Sequence, residues 1–243
     1  MNKIPKVIHY CWFGRNPLPP LAKRCIESWK KYCPDYKIIE WNEDNFDLKS
    51  NQYVREAYQA KKWAFVSDYA RLYVLKEYGG IYMDTDVELL NGIDIFLEHA
   101  AFSGFENHNS IPTGIMGAAK DNSWIKMLLE YYTDRNFISE DGSYDLTTNL
   151  VTITKLTIKV YDIDLNNTLQ TTYDGIAFYP NEYFCPKDYE TGKITVTKNT
   201  YCIHHYDASW VPKRTKLRHF FTSKLKLLLG KERIQKLKKL LHI

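Results

Sequence analysis

Two carboxylates that stand two residues apart could hold a cation. Asp84 and Asp86 lie in the stretch GIYMDTDVE, which follows a glycine pair. Successive side chains of an extended chain point to opposite faces, so a strand here would place both carboxylates on one face. Two carboxylates this close repel each other unless a cation or a proton lies between them. The segment therefore predicts a divalent metal site, with a plain surface Asp-Thr-Asp as the alternative.

The residues before this strand predict a helix that carries further charged groups. Ser67, Asp68 and Arg71 recur at three- and four-residue spacing, which places them on one side of a helix. Gly79 and Gly80 allow the left-handed backbone that ends a helix, so the strand can begin at once. We expect Asp68 and Arg71 to act together near the carboxylates. The alternative is an Asp-Arg pair that only stabilises its helix.

The whole stretch, SDYARLYVLKEYGGIYMDTD, resembles the hallmark of the DXD sugar-binding glycosyltransferases of family 32. Three other stretches, IPKVIHYCWFG, YPNEYFCP and IHHYDASW, are similar to the first strand, a late loop and the closing motif of that family, in the same order. The resemblance implies an α/β fold of the glycosyltransferase A type, with a Rossmann-like nucleotide-sugar-binding sheet. It also implies a retaining, metal-dependent transferase.

The resemblance assigns roles to individual residues. The metal ligands that it implies are Asp84, Asp86 and His205. The donor-binding residues are Trp12, Ser67, Asp68, Arg71, Tyr82, Asp84, Ser209 and Trp210. Because adjacent strand residues point to opposite faces, only one of two neighbouring imidazoles can reach the metal, and His204 or Asp207 is the alternative third ligand. Trp12 ends a predicted strand, where it could stack on a base or belong to the core.

The ligand types limit the cofactor and the chemistry. Carboxylate oxygens favour Mg²⁺ or Mn²⁺, and a histidine ligand favours Mn²⁺. Retention by a glycosidase needs a carboxylate nucleophile, and the sequence offers no obvious one. A front-face displacement is expected instead, in which the leaving phosphate accepts the acceptor's proton. Asp84 and Asp86 would act through the metal, and Asn149 or Glu106 would support the positive sugar; a structural Asn and a loop Glu are the alternatives.

Composition limits the class of protein. With 243 residues, one sizeable core is expected, and 19 Tyr and 6 Trp suit a surface that stacks on sugars and bases. Five cysteines without a CxxC pair argue against a disulfide framework or a zinc site and favour a reducing cytoplasm. We expect no secretory signal and no membrane-spanning segment.

The end of the chain is strongly basic. Residues 211–243 contain 11 Lys or Arg and a single acidic residue, Glu232, with apolar residues at helical spacing. We predict a catalytic domain over 1–211 and C-terminal amphipathic helices over 212–243 that lie on an anionic membrane surface, peripheral at its cytoplasmic face. A helix packed on its own domain and a nucleic-acid contact are the alternatives, and no recognition motif supports the latter.

Periodicity predicts the elements that must position these residues. A strand over 6–13, a helix over 21–32 and a strand over 36–41 are typical of a parallel sheet. Further strands are predicted at 100–105, 115–118, 175–179, 193–198 and 201–206, and a helix at 122–132. Residues 146–158 are ambiguous between helix and strand, and the family resemblance favours a helix.

The expected function is transfer of a hexose from a nucleotide sugar to a lipid-linked or polysaccharide glycan in cell-surface polysaccharide synthesis, such as capsule or lipopolysaccharide. A UDP-sugar is the expected donor, and GDP-mannose is the alternative. Two other hypotheses remain: transfer to a protein acceptor, and a non-catalytic module that binds a nucleotide sugar or a glycan. No nucleic-acid partner is expected.

Overall fold

A computed structural model describes residues 3–106, 109–112 and 114–207. Ser209, Trp210 and the predicted tail over 212–243 lie outside the described residues. The helices and strands in the described part are β1 (Val7–Cys11), α1 (Pro20–Tyr32), β2 (Lys37–Trp41), α2 (Gln52–Gln59), α3 (Trp63–Tyr78), β3 (Gly80–Met83), β4 (Val87–Leu89), β5 (Ala101–Gly104), β6 (Ile115–Ala118), α4 (Ser123–Glu130), α5 (Asn149–Val160), β7 (Gln170–Thr171), β8 (Ile176–Tyr179), α6 (Asn181–Phe184) and β9 (Cys202–His204).

One sheet of seven strands forms the centre of the fold. Its order is β2-β1-β3-β6-β5-β8-β7, and a separate ribbon joins β4 to β9. Strand β1 runs parallel to β2 and β3, and β5 runs parallel to β8, whereas β6 is antiparallel to both of its neighbours. The carboxyl ends of β1 and β3 therefore meet at one edge, where ligands bind in open α/β sheets.

Both faces of strand β3 are covered by hydrophobic residues. Tyr82 belongs to a core cluster that includes Leu72 of α3, whereas Ile81 and Met83 belong to a cluster that includes Trp29 of α1. A strand covered on both faces reads as a continuous apolar run rather than as an alternation. This explains why the sequence GIYM precedes the two carboxylates.

The two glycines between α3 and β3 are required by the backbone. Gly79 and Gly80 have φ of +65° and +106°. A Cβ on Gly79 would lie 2.6 Å from the backbone nitrogen of Lys120, and one on Gly80 would lie 2.7 Å from the carbonyl oxygen of Val7. Helix α3 can thus pass directly into β3, as the sequence predicts.

Most of the predicted elements are confirmed, with shorter bounds, and residues 146–158 lie largely within helix α5. The strand predicted over 193–198 is wrong: the structure has a single bridge between Lys187 and Ile194 there. Ile194 and Val196 are exposed, so the alternation of apolar residues has no sheet to pair with. The five cysteines are free and buried.

Acidification is expected to destabilise the fold through His9 of β1. Its Nε2 lies 2.9 Å from the carbonyl oxygen of Gly79, and its Nδ1 accepts a hydrogen bond from the Trp41 indole at 3.1 Å, so the ring is neutral. Burial lowers the pKa of His9 to about 4 from 6.5. As the pH falls, His9 therefore binds a proton in the unfolded chain before it does so in the folded protein. The contribution of His9 to the free energy of unfolding is fully present above pH 6.5 and is lost as the pH falls toward 4. The loss at pH 4.5 is about 2.5 kcal/mol.

Urea unfolding of the wild type and of His9→Gln at pH 7 and pH 4.5 tests this prediction. Glutamine can donate to the Gly79 carbonyl and accept from Trp41, but it does not titrate. Effects of all other titrating groups cancel in the difference between the two proteins. We expect the stability advantage of the wild type to shrink by about 2.5 kcal/mol on acidification. An advantage that stays constant with pH would contradict the assignment of this loss to His9.

Candidate active site

A cleft of about 810 Å³ lies at the carboxyl ends of β1 and β3. It is lined by every predicted site residue that the structure describes except His205: Trp12, Ser67, Asp68, Arg71, Tyr82, Asp84, Asp86, Glu106 and Asn149. His204 and Asp207, the alternative metal ligands, line it as well. Elements far apart in the sequence thus converge on one cavity.

The two carboxylates of the DXD segment lie on a turn rather than on a strand. Strand β3 ends at Met83, and the amide of Val87 donates to the carbonyl oxygen of Asp84 at 3.0 Å. The expectation that strand alternation places Asp84 and Asp86 on one face is therefore corrected. The turn nevertheless brings them together, and one ligand atom from each lies within 4.8 Å of one from His204.

His204, and not His205, accompanies the carboxylates. In the ribbon, Val87 of β4 pairs with His204 of β9, and the backbone amide of His205 donates to the carbonyl oxygen of Asp86. The His204 Nε2 lies 3.3 Å from Asp86 Oδ1, whereas the His205 Nε2 lies 2.7 Å from Glu88 Oε2. The structure therefore favours His204 over the predicted His205 as the third member of this cluster, because His205 follows β9 and its ring pairs with Glu88.

Neighbouring backbone groups hold this cluster in place. The amide of Asp207 donates to Asp86 Oδ2 at 2.7 Å, so Asp207 contacts the cluster through its main chain. A Cβ on Gly114 would lie 2.8 Å from His204 Nδ1, so a side chain there would displace the imidazole. The loop before β6 thus sets the position of the ring.

The charges of Asp86 and His204 depend on each other. Burial acts to raise the pKa of Asp86, but His204 and the Asp207 amide outweigh it and lower this pKa to about 2. Burial acts to lower the pKa of His204, but the adjacent Asp86 raises it well above 6.5. Without a metal the two groups form an ion pair, and binding of a cation to the imidazole must release its proton.

A second charged group links helix α3 to the DXD turn. The Arg71 guanidinium lies 3.0 Å from Asp68 Oδ1 and 3.4 Å from Asp84 Oδ1, and its carbon lies 4.6 Å from the centre of the Tyr82 ring. The Tyr82 hydroxyl donates to Asp84 Oδ1 at 2.8 Å. Arg71 is only 5% exposed. One of its terminal nitrogens, Nη2, thus lies between two carboxylates, and the Asp68 carboxylate offers a hydrogen-bond acceptor to the cleft.

Burial raises the pKa of the Asp68 carboxyl to about 6, although the positive charge of Arg71 acts to lower it. For Arg71, burial acts to lower the pKa, but the negative charge of Asp84 raises it above its usual range. The guanidinium therefore stays charged. The network places one fixed positive charge between the buried Asp68 and the partly buried Asp84.

Asn149 and Glu106 enter the cleft from different elements. Asn149, the first residue of α5, donates from Nδ2 to the carbonyl oxygen of Asp68 at 3.1 Å and accepts from the Tyr132 hydroxyl at 3.3 Å. Its amide thus ties α5 to α3. Glu106 follows β5, and burial raises the pKa of its carboxyl.

Aromatic side chains form much of the remaining wall. The indole of Trp12 donates to the carbonyl oxygen of Asn16 at 2.6 Å, which leaves its ring face at the cleft. The lining also contains Trp63, Tyr189 and Tyr206, which the sequence analysis missed. Of these, Trp63 had a detectable signal in the sequence, because it stands four residues before Ser67. The Ser67 hydroxyl donates a hydrogen bond to the backbone carbonyl oxygen of Trp63 at 3.1 Å.

Comparison with known proteins identifies the family of the region that carries the DXD turn. Residues 19–103 match the family described as "Glycosyltransferase sugar-binding region containing DXD motif". The matched region includes the helix, the glycine pair and the DXD turn. The predicted resemblance to DXD glycosyltransferases is confirmed over this region.

Relatives and a solved structure extend the comparison. Inositol phosphoceramide mannosyltransferase 3 of Schizosaccharomyces pombe is 28% identical over 134 residues, which cover 50% of this chain and 35% of the relative. The chain thus spans about a third of that protein. An uncharacterized glycosyltransferase of Acanthamoeba polyphaga mimivirus is 25% identical over 91% of this chain and 89% of its own length. The structure titled "PaToxG Glycosyltransferase" has a TM-score of 0.50 at 20% identity and covers 65% of this chain and 70% of its own. This likeness confirms the predicted glycosyltransferase A type fold.

Proposed function

We propose that this chain, which carries the DXD sugar-binding region of glycosyltransferases over residues 19–103, is a metal-dependent enzyme that transfers a hexose from a nucleotide sugar. The observation that carries the proposal is the convergence of Asp84, Asp86, His204 and the Asp68–Arg71 pair on one cleft. Its volume of about 810 Å³ is that of a site for a ligand of this size.

The residues present fit a divalent cation. Two carboxylates and one imidazole offer ligand atoms within 4.8 Å of one another, and this donor set suits Mn²⁺ or Mg²⁺. When bound, such a cation would supply Lewis-acid stabilisation of the negative charge that develops on the diphosphate. Asp84 and Asp86 would hold it together with His204, and the Arg71 guanidinium lies 3.4 Å from Asp84.

The donor's two ends would contact different walls. Trp12 presents a ring face on which a base can stack, and Ser67 lies nearby on α3. Asp68 would accept hydrogen bonds from hydroxyls of the donor sugar, while Arg71 and Asn149 fix its position. We expect a UDP-sugar as donor; the mannosyltransferase relative makes GDP-mannose the principal alternative. Ser209 and Trp210 remain proposed contacts to the diphosphate.

Retention of the anomeric configuration would follow a front-face displacement. Of the carboxylates that line the described cleft, Asp84 and Asp86 belong to the ligand cluster, and Asp68 is paired with Arg71. The leaving phosphate would accept the acceptor's proton. Because the amide of Asn149 is already bonded to its neighbours, Glu106 is better suited to stabilise the positive charge on the sugar.

The proposed acceptor is a lipid-linked or polysaccharide glycan, and the proposed location is the cytoplasmic membrane surface. A relative named for an inositol phosphoceramide supports a lipid acceptor. Within the described ranges, no helix combines the length and the apolar character needed to cross a bilayer. We propose that the basic residues of 212–243 supply the membrane contact.

Metal-dependent release of a nucleotide from one donor is the result expected of the wild type. The assay presents UDP-glucose, UDP-galactose, UDP-N-acetylhexosamines and GDP-mannose with Mn²⁺ and measures released nucleoside diphosphate. EDTA should stop the release because the three ligands alone cannot neutralise the diphosphate. Binding of a donor without any turnover, with lipid and glycan acceptors present, would instead support the binding-module hypothesis.

Two adjacent histidines provide an internal control for the ligand assignment. His204→Ala is expected to weaken Mn²⁺ binding by about 10- to 100-fold, as loss of a ligand or its support typically does. His205→Ala should leave the Mn²⁺ affinity within about threefold of the wild type, because its ring contacts Glu88. Titration calorimetry measures both. The reverse ranking would restore His205 as the ligand.

A further inference from the structure

A narrow groove continues the cleft along helix α5. Its volume is about 280 Å³, and Asn109, Ser110, Leu150, Val151, Thr154, Lys155, Ile158 and Leu165 line it. We call these residues the α5 groove. Leu150 belongs to both cavities.

The same two elements form walls of both the cleft and the groove. The segment after β5 contributes Glu106 to the cleft and Ser110 to the groove. Helix α5 contributes Asn149 to the cleft and Val151 to the groove. The backbone amide of Ile111 donates to the Thr154 hydroxyl at 3.0 Å, which closes the floor between these walls. The cleft and the groove are therefore adjacent, with Leu150 at the border between them.

The groove is apolar and open to solvent. Val151 and Ile158 are 38% and 43% exposed, and they lie seven residues apart on one helix face. Exposed apolar side chains are concentrated in this region. The described part of the chain has twelve exposed large hydrophobic side chains, and seven of them lie within 144–173: Tyr144, Leu146, Val151, Ile158, Val160, Leu169 and Tyr173. Concentrated exposed apolar residues mark an interaction surface.

The charge of the groove indicates which class of ligand it binds. Of the described residues that line the groove, Lys155 is the only charged one. No ion pair joins it to another residue in the described part of the chain. Helix α5 contains no acidic residue. An apolar groove that carries one positively charged side chain favours an amphiphile with a negatively charged head group. The chain's own tail is a poor candidate, because 11 basic residues in 211–243 would repel Lys155.

We propose that the α5 groove is the acceptor subsite for a lipid phosphate that carries the accepting sugar or polyol. The ring enters the cleft beside Asn149, the phosphate pairs with Lys155, and the apolar chain covers Val151, Ile158 and Leu165. Asn149 and Lys155 are about 9 Å apart along the helix axis, which leaves room for one ring between hydroxyl and phosphate. This inference rests on the proposed transfer reaction and names its acceptor.

Three soluble probes test the proposal with the full-length chain. Dioctanoyl phosphatidylinositol has the ring, the phosphate and the chains; glycerophosphoinositol lacks the chains; and octyl glucoside lacks the phosphate. Titration calorimetry below the micelle concentration should show the first binding at least about tenfold more tightly than either of the others. Equal affinities, or no binding of the first, would overturn the subsite.

Matched variants locate the binding. Ile158→Asp and Lys155→Glu should each weaken binding of dioctanoyl phosphatidylinositol about tenfold. The controls Val196→Asp and Lys126→Glu change other exposed residues elsewhere and should stay within about twofold of the wild type, and thermal unfolding checks that all four fold.

Unchanged affinity in Ile158→Asp would overturn the proposal. Combined with a changed sedimentation coefficient, it would assign the groove to a second copy of the chain. Nucleotide release from the donor by water needs only the cleft. If this release fails, the result contradicts the proposed transfer reaction. If release is observed but dioctanoyl phosphatidylinositol does not bind as expected, the result contradicts only the acceptor subsite in the α5 groove.

Discussion

Asp86→Asn is expected to lower nucleotide release from the donor by about 10³-fold, which corresponds to about 4 kcal/mol of transition-state stabilisation. Asparagine keeps the shape of the side chain and can still accept the Asp207 amide. It removes the negative charge that pairs with His204 and that a cation would need. The loss should therefore appear in turnover and in Mn²⁺ affinity together, and not in the melting temperature alone.

Glu88→Gln is the matched control, because Glu88 lies two residues further on and pairs with His205 and Arg24 away from the cleft. Its turnover should stay within about threefold of the wild type, as is usual for a partly exposed ion pair. Similar losses in both variants would mean that negative charge on this segment matters in general. The assignment of Asp86 as a ligand would then be refuted.

The sequence was most informative where a local pattern has one physical solution. The glycine pair, the helix before it and the apolar run after it each constrain the backbone by themselves, so α3, β3 and the position of Asp84 could be predicted. Strand β9 was predicted, but not that His204, rather than the following His205, faces the cleft. That choice follows from the register of β9 against β4, a pairing between residues more than 100 positions apart.

Other features depend on contacts that no local pattern records. The turn at Asp84 and Asp86 interrupts what reads as a continuing strand, because β3 pairs with β6 while β4 changes partner to β9. The Ile194 and Val196 alternation predicts a strand, yet no neighbouring strand is available in the described part of the chain. Trp63 and Tyr206 enter the cleft from segments whose mutual distance only the folded chain defines.

Arg71→Ala is expected to produce the largest loss of stability, about 3–5 kcal/mol, together with loss of turnover. Removal of the guanidinium leaves the buried Asp68 and the partly buried Asp84 near each other without a positive charge between them. It also removes the cation above the Tyr82 ring. Chemical denaturation at pH 7 measures the free energy of unfolding. Lysine keeps the positive charge but lacks the planar guanidinium group, so Arg71→Lys should retain part of the stability that Arg71→Ala loses.

A double variant separates this electrostatic effect from lost packing. If repulsion between uncompensated acids dominates, Asp68→Asn should cost stability in the wild type but restore some of it in Arg71→Ala, because only one buried carboxylate then remains. The interaction free energy from the cycle should reach about 1–3 kcal/mol. Strict additivity would contradict the proposed coupling, since it would mean that Arg71 does not stabilise the fold through Asp68. Turnover should not return in the double variant, because the donor sugar would still lack the Asp68 carboxylate.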